Sequence, residues 1–401
     1  MANTLSVTDR VLKEAQRIAH EKLSFIGTVD KQYDSSFKYN SRNGPQGQSL
    51  RVREPNQYTR RQGSRVMDVQ DQNESTQTIT VATQDGVDMR FNSQELIQSV
   101  NSDAAWDDFS KTYIEPAMSS LVSGIESDFI AYCTKATYNV AGTAGTPPTD
   151  LAAIGAARAK LNQGLAPKDG NRYVQMESVT MGGLVNGLKG LFHDGQQVKK
   201  QYREGMIGRT GGADWYENER MWTLTNGADV VGAVNDTAIA DGDSTITVDG
   251  LTAAPAVGAV FTFDATYAVN PETKAAYSHL QQFVVTAATT TSITFSPALQ
   301  STGAKQNVDA LPSNDDVITF VGSASTGYVQ NLMYHKEAFQ FVTADLPLMD
   351  DAHKCVRKTQ DGLSMRCWQG SDIRNDELLM RIDILYGMAA LRPAWASRIT
   401  N

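Results

Sequence analysis

Apolar positions sort this chain into unlike stretches. In residues 6–26, SVTDRVLKEAQRIAHEKLSFI, Val11, Leu12, Ala15, Ile18, Ala19, Leu23 and Ile26 recur at helical spacing, which predicts an amphipathic helix. Its stripe has two possible seats, its own domain or a neighbouring subunit. Residues 27–90 are polar, and SLRVREPNQYTRRQG and TQTITVATQDGVDMRF alternate as two strands would. Pro55 keeps the first from being a central strand. Together they predict a long two-stranded arm, too polar for a core of its own. Residues 102–135 carry the strongest helical signal, with Phe109, Tyr113, Ala117, Leu121, Ile125 and Phe129 every fourth position. Pro116 inside that run either kinks the helix or marks where its straight part begins.

NVAGTAGTPPTD, 139–150, reads as a linker. A mixed region follows, with helices at 151–163 and 178–191, a strand around RYVQM and a glycine-rich GMIGRTGGADWYENE. Between 223 and 325 the text changes again. There, 16 threonines in 103 residues accompany short alternating runs (STITVDG, AVFTF, QQFVVTA, TSITFS, DDVITFVG) separated by turn residues. This is the signature of a small antiparallel barrel or sandwich. NLMYHKEAFQFV and strand-like MRIDILYGMAALRPAWASRI close the chain. The prediction is an α+β domain with an all-β module inserted into it.

Charge sharpens that division. The chain's net charge is −9, and residues 223–325 hold nine Asp and one Glu against two Lys and no Arg, so −8 of it lies in the module. No segment has the basic balance of a dedicated nucleic-acid reader. Five arginines fall in 15 residues: Arg51, Arg53, Arg60, Arg61 and Arg65. Phosphate binding and pairing with acidic groups of a neighbouring subunit are both open to them. The absence of an aromatic ladder favours the second.

Candidate chemistry is sparse. Cys133, Cys355 and Cys367 are odd in number and widely spaced, unlike a disulfide framework, and His353 near Cys355 lacks further ligands for zinc. Gly205, Gly208, Gly211 and Gly212 match neither a Walker loop nor a dinucleotide loop. His20, His193, His279, His335 and His353 stand in no motif with a nucleophile or base. Neither a signal peptide nor an apolar run approaching about 18 residues occurs. No catalytic, cofactor-binding or metal site is expected, and no membrane partner.

The order of these segments resembles the major capsid (coat) protein of tailed bacteriophages, with the HK97-like fold, in the short-tailed-phage branch carrying an inserted β-domain. SFIGTVDKQYDSSF with SLRVREPNQY resembles that family's N-terminal arm and extended loop. YIEPAMSSLVSGIESDF resembles the start of its spine helix. LNQGLAPKDGNRYVQM and REGMIGRTGGADWYEN resemble the domain crowding each capsomer centre, AVNPETKAAYSHLQQFVVTA the insert, and RIDILYGMAALRPAWASRI the closing strands. The resemblance implies an N-arm at 1–30, an extended β-loop at 31–95, a spine-helix region at 96–138, an axial domain beginning at 139–222, the insert at 223–325 and a closing part at 326–401. It also implies self-assembly into pentamers and hexamers around packaged double-stranded DNA, held non-specifically. A portal protein and a separate scaffolding protein are expected. Val11, Leu12, Ile18 and Leu23 are candidate scaffold contacts. The virion capsid, assembled in bacterial cytoplasm, is the expected location.

Alternatives are a bacterial nanocompartment shell, a phage tail or decoration protein and, more distantly, a glycan hydrolase using the acidic module. In the insert, VNPETK brings Glu272 and Lys274 together after a strand-stopping proline. It reads as a rigid turn whose charges are candidates, with the arginine cluster, for contact with a neighbouring subunit.

Overall fold

A computed structural model describes residues 7–32, 49–61, 63, 65–67, 69–70, 75–92, 110–188, 209–349, 354–360 and 362–401. The chain divides into two compact units, one of 1–52, 77–129 and 340–389, the other of 53–76, 130–339 and 390–401.

The first unit is organised by a sheet in the order β1 (Ser49–Arg53), β2 (Thr76–Asn92), β18 (Glu377–Ala390), β17 (Leu363–Asp372), β16 (Lys354–Gln360), with β15 (Phe339–Ala344) also pairing β18. β2, read from the sequence as one strand of a two-stranded arm with β1, is also paired on its other side. β2 runs antiparallel to β18 from Asn92↔Glu377 to Val81↔Gly387, with one irregularity. On its alternating side Ile79, Val81 and Phe91 are buried and Val87 and Met89 partly so; pairing supplies the cover that a polar two-stranded ribbon lacks. Gly86 lies where a Cβ would come within 2.8 Å of the Ile382 carbonyl oxygen.

At the centre of this sheet Arg366 makes a two-pronged pair with Asp383, Nε to Oδ1 at 3.0 Å and Nη2 to Oδ2 at 2.5 Å. Asp383 also accepts from Gln84 of β2 at 2.8 Å. Both charged residues are buried.

Helix α1 (Val7–Lys22) packs on β16 and β17. Val11, Leu12, Ala15, Ile18 and Ala19 are buried there, and Gln16 donates to the Lys358 carbonyl at 2.7 Å. The short α2 (Ser24–Thr28) has its first amides capped from afar: the buried Glu126 carboxylate accepts from the Phe25 N–H at 2.5 Å and the Ser24 hydroxyl at 3.3 Å. Glu126 belongs to α3 (Glu115–Ala136), which follows one wide turn, Ser110–Ile114. Pro116 sits in the first turn of α3, directly after the wide turn, and so marks where the straight α-helical part begins. Phe109 and the rest of 102–109 lie outside the described residues. Phe25, Phe129, Phe341 and Tyr386 form a chain of ring contacts at 5.0, 5.3 and 5.5 Å.

The second unit holds a sheet in the order β3 (Val140–Ala141), β19 (Ala396–Thr400), β14 (Gly327–His335), β4 (Arg172–Met176), β6 (Ala213–Glu217), β5 (Arg209–Thr210), with β7 (Thr223–Thr225) on the far part of β14. β3 falls in the stretch read as a linker. Its two residues pair in parallel with Arg398 and Ile399, a signal too short for periodicity to reveal. Helix α4 (Leu151–Gln163) starts at an N-cap, Asp150, which accepts from the Ala152 N–H at 2.9 Å. With α5 (Ser178–Leu188) it contributes Ile154, Ala157, Leu161, Met181 and Leu184 to a core completed by Val174, Met333 and Ile399.

Between β7 and β14 the chain forms a closed six-stranded barrel in the order β10 (Val260–Val269), β11 (Ala276–Ala288), β12 (Ser292–Ser296), β9 (Thr245–Asp249), β8 (Val231–Val234), β13 (Val317–Phe320). Its core centres on Phe261, Phe263, Phe283 and Phe295, with ring centroids 5.2 to 5.8 Å apart. Closure removes both edges that an open sheet would expose.

The Arg366–Asp383 pair gives a stability test. Asp383→Ala leaves a buried guanidinium unpaired and should lower unfolding stability by about 3–5 kcal/mol, whereas adding Arg366→Met should restore most of the loss. Urea unfolding of the single and double variants measures both.

Candidate assembly surfaces

The five arginines are all exposed on β1 and the loop beyond it. The base of that loop is closed by Glu54, whose N–H donates to the Ser75 carbonyl at 2.9 Å. Farther out Gln70 copies a strand pairing: its Oε1 accepts from the Thr59 N–H at 2.9 Å and its Nε2 donates to the Thr59 carbonyl at 2.7 Å. Lys305, from a barrel loop, donates to the Ser75 hydroxyl at 3.0 Å. Arg61 donates to the Val66 carbonyl across the tip. The arginines are joined by apolar side chains that periodicity did not single out: Tyr58, Val66, Met67 and Val69 are 58%, 76%, 79% and 78% exposed. One surface loop thus combines guanidinium groups with uncovered apolar area, the mixture enriched at protein interfaces.

Val11, Leu12 and Ile18, named as scaffold contacts, are occupied within the chain as the covered face of α1; Leu23, between α1 and α2, is partly buried. Glu272 and Lys274 lie in the β10–β11 turn. Asn270 organises it, its Oδ1 accepting from the Glu272 and Thr273 amides at 2.9 and 3.0 Å. Its own N–H reaches the Ala275 carbonyl at 2.9 Å. Lys274 occupies the left-handed region (φ 59°) and donates to the Ala304 carbonyl at 2.5 Å, so its charge serves the turn. Glu272 is exposed.

The barrel's acidity is likewise structural. Asp229 accepts from the Thr252 amide and hydroxyl at 2.6 and 2.7 Å and from the Ala253 amide at 2.9 Å. Asp241 accepts from the Ser301 amide and hydroxyl and from the Thr302 hydroxyl at 2.6, 2.9 and 2.5 Å. Asp236 accepts from the Ala238 amide at 3.0 Å. These bonds, led by Thr252 for Asp229, Thr302 for Asp241 and Ala238 for Asp236, hold all three carboxyls below the ordinary aspartate range.

Groups that could serve catalysis are committed elsewhere. Burial pushes the Cys133 thiol up and the Cys367 thiol up to about 12, the wrong direction for a nucleophile. His335 is buried, with Nε2 3.1 Å from Asp169 Oδ1 and Nδ1 accepting from the Glu337 N–H at 3.3 Å. Gly211 and Gly212 both have positive φ (65° and 82°) and form the β5–β6 turn, while Gly205 and Gly208 lie outside the described residues. His193 and His353 lie outside them too. Among the described residues no three His, Cys, Asp or Glu side chains gather as a metal site, and no helix is long and apolar enough to cross a membrane.

Residues 64–397 match the family model described as P22 coat protein, gene protein 5. The chain belongs to the P22 coat protein family. As a coat protein of tailed phages it builds the capsid shell, and membership carries the HK97-like capsid fold anticipated above. No curated protein matches it. Among solved structures, Mycobacterium phage Che8 is similar at 12% identity over 93% of this chain and 89% of that one, with a TM-score of 0.47. The bacteriophage PhiM1 mature capsid is similar at 12% identity over 92% and 87%, TM-score 0.40. The capsid of Ralstonia phage GP4 matches at 8% identity over 90% and 87%, TM-score 0.42. Identities this low leave the assignment resting on the family match.

The aspartate staples predict a pH dependence. Their folded-state pKa values lie below the unfolded value, 3.8, so their stabilisation is present above it and is lost as pH falls through the lower folded values. Barrel amides should therefore exchange faster as pH drops below about 4, after correction for intrinsic rates. Asp241→Asn should flatten that dependence for the 301–302 loop. A dependence unchanged by the substitution contradicts the assignment.

Proposed function

We propose that this coat protein assembles as pentamers and hexamers that tile an icosahedral shell around double-stranded DNA, with a portal and a separate scaffolding protein taking part. The observation that carries the reading, beside family membership, is the arm tip at 54–70, where arginines and uncovered apolar side chains share one loop. Contacts of one surface with a different surface of the next copy generate closed rings. Exposed ion pairs are worth only about 0–1 kcal/mol each, so the reading requires many per subunit. Arg51, Arg53, Arg60, Arg61 and Arg65 are assigned to subunit contacts, with Glu272 a lesser candidate. Lys274 is secondary, being used by its own turn.

Domain roles follow the sequence-based division: N-arm 1–30, extended loop 31–95, spine-helix region of the peripheral domain 96–138, first part of the axial domain 139–222, the closing part of the axial and peripheral domains 326–401, and the insert 223–325 facing outward. The insert's charge of −8 disfavours tight DNA contact, which suits cargo that must be released. A scaffold contact through Val11, Leu12 and Ile18 requires α1 to leave β16 and β17, since those side chains are covered. Assembly is placed in the host cytoplasm and no catalytic role is assigned. A cellular nanocompartment is the less favoured shell, the family match being to a phage coat protein.

Electron microscopy of the purified protein, with and without co-expressed neighbouring reading frames, should show uniform closed shells; a stable monomer with hydrolytic activity contradicts the proposal. Reversing Arg60, Arg61 and Arg65 to Glu should abolish shells while shifting the monomer's thermal midpoint by less than a few degrees. Normal shells from that variant remove the arginines from the interface.

A further inference from the structure

The barrel is joined to the rest of its unit in a way that differs from how it is held together internally. Its stem is a two-stranded ribbon, with β7 antiparallel to the first residues of β14 from Thr223↔Val329 to Thr225↔Gly327. Beside the stem lies a small seat. Val260 and Val284 of the barrel meet Val140 of β3, flanked by Tyr138 and Val321. Gln282 of β11 acts there as a substitute strand: its Oε1 accepts from the Val140 N–H at 2.9 Å and its Nε2 donates to the Val140 carbonyl at 3.2 Å. This covers the outer edge of β3, the end strand of its sheet. Gly258, at the entry to β10, takes φ 91°, and a Cβ there would press on Trp222 and Lys135 at 2.9 and 3.0 Å.

Under the seat lies Arg398 of β19, fully buried. Its Nη1 donates to the Gly258 carbonyl at 2.7 Å, while Nε and Nη2 find no hydrogen-bond partner among the described residues. Burial alone lowers this guanidinium to about 9. A second basic pair spans the barrel and the helical layer: His279 of β11 is held low by burial and then by Lys160 of α4, itself held to about 8 by burial. A buried cation without a carboxylate opposes the closed arrangement. Three valines and one amide pair favour it. The barrel interior, with five packed phenylalanines, carries no such opposition.

We propose that the barrel is a lever seated on the seven-stranded sheet: it lifts from Val140 and Gly258 as one rigid piece, hinged at the β7–β14 ribbon, and Arg398 holds the seated and lifted positions close in energy. Lifting hydrates the guanidinium and uncovers the β3 edge. Seating reverses both. The inference goes beyond shell building and can be tested on unassembled protein.

Val140 is the reporter, because its N–H is bonded to a side chain of the barrel. Its acceptor departs when the barrel lifts, whereas the Val285 N–H, bonded to the Ala259 carbonyl at 2.9 Å, stays inside the barrel. Hydrogen exchange of the full-length, unassembled chain should show the Val140 amide exchanging about tenfold or more faster than Val285. Arg398→Met should slow Val140 at least about threefold with Val285 unchanged, and Gln282→Ala should speed Val140 without touching Val285. Equal exchange at Val140 and Val285 in the wild type, which needs no variant to fold, overturns the rigid lever. Faster Val140 exchange in a folded Arg398→Met protein overturns the role given to Arg398.

Discussion

Every backbone N–H and C=O withdrawn from water must find a partner, and in a chain built mainly of strands this requirement falls on sheet edges. Three parts of this coat protein meet it differently. The barrel has no edge, since β13 returns to β10. β3, two residues long, is covered by the amide of Gln282. β2 is paired along β18, and beyond it the chain turns into the arm tip, where Gln70 holds Thr59 by a side-chain imitation of a strand pair. The apolar and cationic tip itself stays exposed.

The buried charges follow the same economy of partners. In the sheet of the first unit, Arg366 and Asp383 satisfy one another and bind Gln84, so three strands share one network. Glu126 spends its carboxylate on the amide end of α2, fixing the N-terminal segment to the helix that carries it. Arg398 has no comparable partner, and it is the buried cation placed at a joint.

Much of this was legible beforehand. The barrel announced itself because five short alternating runs between turn residues have few other readings, and Phe261, Phe263, Phe283, Phe295 and Phe320 all fall within them. The spine helix was legible from its four-residue period, with Pro116 as one of two readings of its start. Other features were hidden for physical reasons. β3 is shorter than any period. The partner of β2 lies some 300 residues away in sequence, beyond what local pattern encodes. Tyr58, Val66, Met67 and Val69 are largely exposed, so no burial periodicity marks them. Arg398 reads as a surface residue in any strand pattern, and its side chain's hydrogen-bond partner, the Gly258 carbonyl, lies 140 residues away in sequence. Charge counting located the acidic module but not its use, which is to staple loops.

The account stands most directly on the arm tip becoming interior to the assembly. Hydroxyl-radical labelling of Tyr58 and Met67 in free subunits and in intact particles measures that burial. In free protein both should label readily, at 58% and 79% exposure, and in particles both should be strongly protected while the exposed Thr273 in the barrel turn keeps its labelling. Equal labelling of Tyr58 and Met67 in the two states would contradict the account.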